Sequence, residues 1–348
     1  MKQPGMIAFI GSGETTVLGG QVYDFLARKL SHPLHIAVME TPAGFELNST
    51  QVASRVADFI TRRLQNDHPE VTIIPARRKG TPLSPDDAGV VDPLYQAGLI
   101  FLGPGSPTYA ARQLSGSLAW EILRARHQIG TALVFASAAV IAAGSHVLPV
   151  YEIYKAGHDP FWAPGLDLLA PYGLHLTFIP HWNNTDGGVE LDTSRCFIGQ
   201  TRFGALRAAL PPDITTVGID EHTALVLDLE SGTAQAFGRG SVHILGPKGE
   251  KTHTRGAVFG IGELGRLTRP PMGTTIAPEV HQLALKGGMR PLVEHAIPPV
   301  DVQTLAAERE TARKTKDWSE ADRLRQEMNA LGWSVKDTPQ GAVLERLK

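Results

Sequence analysis

The sequence predicts an α/β fold, a largely parallel sheet with helices on both faces. Two observations predict it. Short apolar runs alternate with segments of helical period up to Ser137, and strands alternating with helices at that spacing imply right-handed βαβ units. Beyond that point the texture changes to hairpin-like runs, which add antiparallel strands at the end of the main domain.

Taken in order, strands are expected at 6–10, 35–39, 71–75, 97–102 and 132–136. Helices are expected around 20–30 and at 50–64, where Val52, Val56, Phe59 and Ile60 share a face, then at 84–96, 108–114 and 118–127. Runs at 174–179, 215–219, 223–229, 234–237 and 241–245 read as further strands, with Glu230-Ser231-Gly232 as a turn between two of them. This domain is expected to span 1–247. Residues 248–299, rich in Gly and Pro, read as a linker with local helix near 278–286. The last segment, 300–348, is expected to carry helices at 301–316 and 319–331, then two short strands about the turn Asp337-Thr338-Pro339-Gln340-Gly341. Ser319 is expected to cap the second helix and Gly332 to end it, with Ala321, Leu324, Met328 and Leu331 as its buried stripe.

The 33 basic and 35 acidic residues leave a net charge of −2, which supplies no overall drive toward nucleic acid or an acidic membrane. The lone cysteine, Cys196, excludes an intrachain disulfide and a multi-cysteine zinc site, and it suits a reducing, cytoplasmic setting. No stretch approaches the roughly 20 apolar residues that span a bilayer, so no membrane association is expected.

Ser137 stands where the apolar run 132–136 gives way to the small residues of 138–144. A buried strand turning sharply into a helix presents such a hydroxyl at the top of a sheet. A serine hydroxyl becomes a competent nucleophile only when a base takes its proton and a third group orients that base.

Four segments bear on this chemistry: Gly103-Pro104-Gly105-Ser106, Ser137-Ala138, Pro180-His181-Trp182-Asn183-Asn184 and Gly218-Ile219-Asp220-Glu221. In this order they resemble the peptidase S51 family, which includes dipeptidase E and cyanophycinase and has the class I glutamine amidotransferase-like fold. The resemblance covers about residues 5–247. It implies Ser137 as nucleophile and His181 as base, with the acid 15 residues after the serine, Glu152, as third member and Asp220 or Glu221 in reserve. It further implies the backbone N–H groups of Gly105 and Ala138 as oxyanion donors. Arg195, 14 residues beyond His181, resembles the arginine with which aspartate-cleaving members grip a carboxylate, so a carboxylate-bearing substrate is expected. Ser106, Asn183 and Glu221 complete the expected substrate-binding set.

The chain departs from the family elbow Gly-x-Ser-Ala-Gly-Ala. It reads Phe135-Ala136-Ser137-Ala138-Ala139-Val140, so Phe135 and Ala139 are expected to crowd the turn. Cys196 lies away from the elbow, which disfavours glutamine hydrolysis through a thiol. Gly11-Ser12-Gly13 lacks the third glycine of a dinucleotide loop, and His158, Asp159, His181 and Asp186 match no metal-ligand spacing. Neither cofactor nor metal is expected.

The tail carries a second resemblance. Glu308-Arg309, Ala312-Arg313-Lys314, Lys316-Asp317-Trp318, Ala321-Asp322, Arg325, Leu331-Gly332 and the run 337–341 resemble the C-terminal end of bacterial cysteinyl-tRNA synthetases. That end belongs to the region associated with anticodon recognition. The synthetase's His-Ile-Gly-His and Lys-Met-Ser-Lys-Ser signatures do not occur, so aminoacylation is not expected. Residues 301–348 hold nine basic and nine acidic side chains, a neutral module without a strong phosphate-binding footprint. Arg309, Arg313 and Lys316 nonetheless fall at i, i+4, i+7, along one helical face, and are the candidates for tRNA contact. The alternative is a solvated helical hairpin serving packing or protein contact.

The expected function is a serine hydrolase that cleaves a small peptide or related amide. Its rivals are an inactive binding module linked to tRNA or translation through the tail, and a hydrolase of an RNA-linked ester.

Overall fold

The structure, a computed structural model, describes residues 3–247, 249–288, 300–338 and 341–346. Two compact units divide it, Met1–Met289 and Arg290–Lys348.

The larger unit begins with β1 (Ile7–Ile10), α1 (Val17–Ala27), β2 (His35–Met39), α2 (Ser49–Arg63), β3 (Glu70–Ile74), α3 (Ala88–Val91) and β4 (Leu99–Leu102). Next come α4 (Pro107–Leu114), α5 (Leu118–Gln128), β5 (Ala132–Ala136) and α6 (Ala138–Ala142). A short ribbon, β6 (His146–Val147) and β7 (Ala163–Pro164), flanks α7 (Val150–Tyr154). There follow β8 (Leu176–Ile179), α8 (Gln200–Ala208), β9 (Thr215–Ile219), β10 (Thr223–Asp228), β11 (Thr233–Gly238), β12 (Ser241–Gly246), β13 (Gly249–Thr254), β14 (Val258–Gly260) and α9 (Pro278–Lys286).

The main sheet runs β14-β11-β10-β1-β5-β4-β2-β3. Its five strands from β1 to β3 are mutually parallel, and β10, β11 and β14 extend it antiparallel. A second sheet, β13-β12-β9-β8, pairs β8 with β9 in parallel and the rest antiparallel. Because side chains alternate along a strand, Ile7 and Phe9 of β1 enter one core while Ala8 and Ile10 enter the other. Both faces are therefore covered, as a sheet with βαβ crossovers requires.

The expected helix at 84–96 is cut short. Asp87 caps α3 by accepting from the N–H groups of Gly89 and Val90, and a 3₁₀ turn over Asp92–Gln96 carries Pro93, which has no N–H to continue an α-helix. Residues 249–288 are not a linker. β14 pairs with β11, α9 packs on α5, and Phe259, Ile261, Leu264, Ile276, Val280 and Ala284 join the larger core. Arg126 Nη1 donates to the Ala284 carbonyl at 3.0 Å, which fixes α9 to the end of α5. The remainder of the expected linker, 248 and 289–299, lies outside the described residues.

The smaller unit pairs α10 (Val300–Lys314) with α11 (Trp318–Ala330) and adds the hairpin β15 (Trp333–Thr338) and β16 (Gly341–Arg346). Val302, Met328 and Trp333 form its core. The cap of α11 is Asp317, which accepts from the Glu320 N–H at 3.1 Å, not Ser319, which lies inside the helix. Ala321, Leu324 and Met328 are buried as expected, whereas Leu331 is about half exposed beyond the helix end. Pro339 and Gln340 of the expected turn lie outside the described residues.

Candidate active site

Ser137 occupies the sharp turn between β5 and α6, with φ 52° and ψ −114°. This backbone region is costly for any residue with a Cβ and persists where the surroundings impose it. Here the Ser137 N–H donates to the Ile10 carbonyl of the neighbouring strand at 3.1 Å, and its own carbonyl accepts from Val140 N–H at 3.0 Å to start α6. Phe135 does not crowd the turn. Its ring is buried beneath the sheet at 5.6 Å from Phe9, and Ala139 lies in the same core.

His181 follows the carboxyl end of β8, and Glu221 follows that of the adjacent parallel strand β9. Parallel pairing puts both ends on one side. Ser137 Oγ and His181 Nε2 lie 3.0 Å apart, and His181 Nδ1 lies 3.0 Å from Glu221 Oε1. An ionised carboxylate can only accept, so Nδ1 carries the proton and Nε2 of the neutral ring accepts from the serine hydroxyl. The hydrogen bond from His181 holds the Glu221 carboxyl down at about 2, with Asn184 Nδ2, at 3.0 Å from the same oxygen, adding to the effect. Asn183 Oδ1 accepts from the Glu221 N–H at 2.8 Å, and Trp182 N–H donates to the Ile219 carbonyl at 3.0 Å. The two loops are thus laced together through side chain and backbone.

A left-handed run holds the histidine loop from its other side. Arg195, Cys196 and Phe197 have φ of 59°, 59° and 68°, and the N–H groups of Arg195 and Cys196 reach the carbonyls of Trp182 and His181 at 2.8 and 3.1 Å. Arg195 stacks on Trp182, with Cζ 3.9 Å from the ring centroid, and Nη1 donates to the Trp182 carbonyl at 3.1 Å. His243 also stacks on this indole at 5.3 Å and pairs with Asp220 through Nε2 at 3.2 Å. Gly218 lies where a Cβ would come within 2.5 Å of the indole, so only glycine admits Trp182 there.

The expected third member, Glu152, stands elsewhere. Its Oε1 accepts from Thr108 Oγ1 at 2.6 Å, joining α7 to α4, while the carboxylate that meets His181 is Glu221. Ser106 caps α4: its Oγ accepts from Tyr109 N–H at 3.3 Å and lies 3.1 Å from Thr108 Oγ1. Gly105 has φ +145°, and a Cβ there would stand 1.9 Å from the Pro42 carbonyl oxygen. Ala138 opens α6, where a helix leaves its first N–H groups without intrahelical partners. Gly11 also has a local reason, since a Cβ would meet the Asp220 carbonyl oxygen at 2.3 Å, and Ser12 Oγ accepts from His222 N–H at 2.9 Å. The loop after β1 therefore props the Glu221 loop. The part of Asn184 was missed by sequence reasoning, although its place beside His181 in the Asn183-Asn184 pair marked it.

In the smaller unit the three expected RNA-contact residues do not form one exposed basic face. Arg309 is buried and, like Arg313, engaged within the chain; Lys316 is exposed but lies beyond the end of α10 with φ 61°. Among the described residues, no group of three or more His, Cys, Asp or Glu side chains is arranged to hold a metal ion, and no helix is long and apolar enough to cross a membrane.

Among solved structures, a peptidase from an acI-B1 Actinobacterium superposes with a TM-score of 0.59 at 21% identity, over 74% of this chain and 98% of that one. Residues 299–342 match the family described as the cysteinyl-tRNA ligase anticodon binding domain. Cysteine–tRNA ligase of Caldicellulosiruptor saccharolyticus is 49% identical over 55 residues, 16% of this chain and 12% of the ligase. Cysteine–tRNA ligase 1 of Burkholderia lata is 38% identical over 80 residues, 23% of this chain and 17% of the ligase. The chain spans less than a fifth of the length of these curated relatives. It joins a unit with the α/β fold of the actinobacterial peptidase to a C-terminal segment similar to the anticodon binding domain of cysteinyl-tRNA ligases.

Proposed function

We propose that the larger unit is a serine hydrolase acting on a small peptide or related amide through Ser137, His181 and Glu221. The observation that carries this reading is the unbroken chain of two 3.0 Å contacts from Ser137 Oγ through the imidazole to Glu221. Ser137 Oγ attacks the carbonyl carbon while its proton passes to His181 Nε2, and Glu221 stabilises the imidazolium that forms. The N–H groups of Gly105 and Ala138 receive the oxyanion. His181 then protonates the leaving amine, and a water molecule, deprotonated by the same ring, releases the acyl group from Ser137. Glu152 supports the loop through Thr108 and takes no part in proton transfer. Turnover of a panel of dipeptides tests the reading: hydrolysis by the protein that disappears in Ser137→Ala supports it, and turnover undiminished in that variant refutes it.

The match at residues 299–342 favours a second role, binding of tRNA by the smaller unit. Arg309 is buried, so contact would fall to other polar groups of the unit. A titration of total tRNA against the full chain and a chain lacking residues 300–348 tests this; equal affinities refute it.

A further inference from the structure

His181 has φ 50°, in the left-handed region that a residue with a Cβ avoids unless its surroundings impose it. Its carbonyl is tied by the N–H groups of Asn184 and Cys196, both at 3.1 Å, and the next residue is held more firmly still. The Trp182 indole is only 6% exposed. Gly218 of β9 leaves room for it, Arg195 lies over its face at 3.9 Å, and Phe203 of α8 meets it edge-on at 5.2 Å. A further wall is His243 of β12, the residue opposite Gly218 in the ladder, whose imidazole stacks on the indole at 5.3 Å with 22° between the planes.

His243 is itself held at both ring nitrogens. Nε2 lies 3.2 Å from Asp220 Oδ1, and Nδ1 lies 3.2 Å from Thr252 Oγ1 of β13. Asp220 is buried, and its second oxygen accepts from the Ser241 N–H at 2.8 Å, so the carboxylate is fixed at both oxygens. An ionised carboxylate only accepts, which puts a proton on Nε2, whereas the threonine hydroxyl can either give to Nδ1 or accept from it. The ring therefore keeps both partners, and its face toward Trp182, in either protonation state.

Asp220 and Glu221 are consecutive, and each meets one histidine, His243 for the first and His181 for the second. Only the second pair touches Ser137. The first pair acts at one remove, because a strained backbone at His181 relaxes if the indole beside it is released, and the direction of the imidazole changes with it.

We propose that His243 is a positioning residue: held by Asp220, it packs Trp182 and so keeps His181 aimed at Ser137 and Glu221. This deepens the hydrolase reading and rests on it for the effect on reaction rate.

The test follows the His181 ring and the reaction of Ser137 separately, in the full chain. NMR of histidine-labelled protein gives the titration midpoint of His181, assigned by the signal lost in His181→Gln, and a fluorophosphonate gives the labelling rate of Ser137. His243→Ala is expected to lower the midpoint by at least about half a pH unit, because the imidazolium loses the Glu221 carboxylate, and to slow labelling at least about tenfold. If that variant does not fold, His243→Gln, which fills the space without a ring, takes its place. His243→Phe, which keeps a flat ring against the indole, is expected to recover at least half of both effects. A merely structural role would lower the melting temperature and leave the midpoint where it was. An unchanged midpoint or an undiminished labelling rate in the folded variant, or a His243→Phe protein no better than His243→Ala, overturns the positioning role. The stated midpoint shift in a protein whose Ser137 never reacts would instead keep the positioning role and overturn the hydrolase reading.

Discussion

His181 Nδ1 stands 3.0 Å from Glu221 Oε1, and the carboxylate is steadied by Asn184 and by the backbone bond to Asn183. This pairing, not a contact to Glu152, orients the imidazole that faces Ser137. Replacing Glu221 with Gln removes the fixed acceptor for the Nδ1 proton and lets the wrong tautomer form, which in related constellations costs up to about 10⁴-fold. Glu221→Gln is expected to slow fluorophosphonate labelling by about 10² to 10⁴, and Glu152→Gln by less than about threefold. Labelling rates of the two purified variants decide between the carboxylates.

The same pairing makes a prediction about acid stability. The Glu221 carboxyl is held at about 2 in the folded protein, below its ordinary 4.5, so the folded state binds fewer protons than the unfolded one. Its contribution is present above about pH 4.5 and is lost as the pH falls through about 2. Because the side chain is 30% exposed, solvent screening limits the effect to on the order of 1 kcal/mol. Urea midpoints of the protein and of Glu221→Gln are expected to differ by a steady amount above about pH 5 and to converge toward pH 2.

Ser137 adopts φ 52° and ψ −114°, a conformation that glycine accepts and other residues resist. Ser137→Gly is expected to stabilise the fold by about 1 kcal/mol while abolishing reaction with the probe. Differential scanning calorimetry reads the first effect and labelling the second. A lowered melting temperature would show that the serine conformation is not strained.

Phe135 has its place in the core, stacked on Phe9, and not in the mouth of the site. Phe135→Gly is therefore expected to cost at least about 3–5 kcal/mol through the cavity it leaves, and to bring no gain in labelling rate. Denaturant melts and labelling of the same preparation check both parts.

Much of the architecture could be read from periodicity, because βαβ units advertise themselves as apolar runs divided by helical stretches. Ser137 showed itself by its place at a strand-to-helix turn, and His181 by the motif about Pro180. The carboxylate that meets the imidazole did not, for a physical reason. Spacing from Ser137 led to Glu152, but α7 is too short for sequence to set its direction, whereas Glu221 reaches His181 through the parallel pairing of β8 with β9. His181 and Glu221 each lie two residues past the end of their strand, a signal that becomes legible once those strands are known to be neighbours. Arg309 failed in the same way. Its helical face was correct in period, but which face α11 covers is decided by packing between helices.

The most direct test of the proposed chemistry is stoichiometric labelling by a fluorophosphonate at neutral pH, with the modified residue located by mass spectrometry of the digested protein. The account predicts one adduct per chain, on Ser137, formed at least about 10²-fold more slowly in His181→Ala. No adduct on folded protein, or an adduct on Ser137 at an undiminished rate without His181, would contradict it.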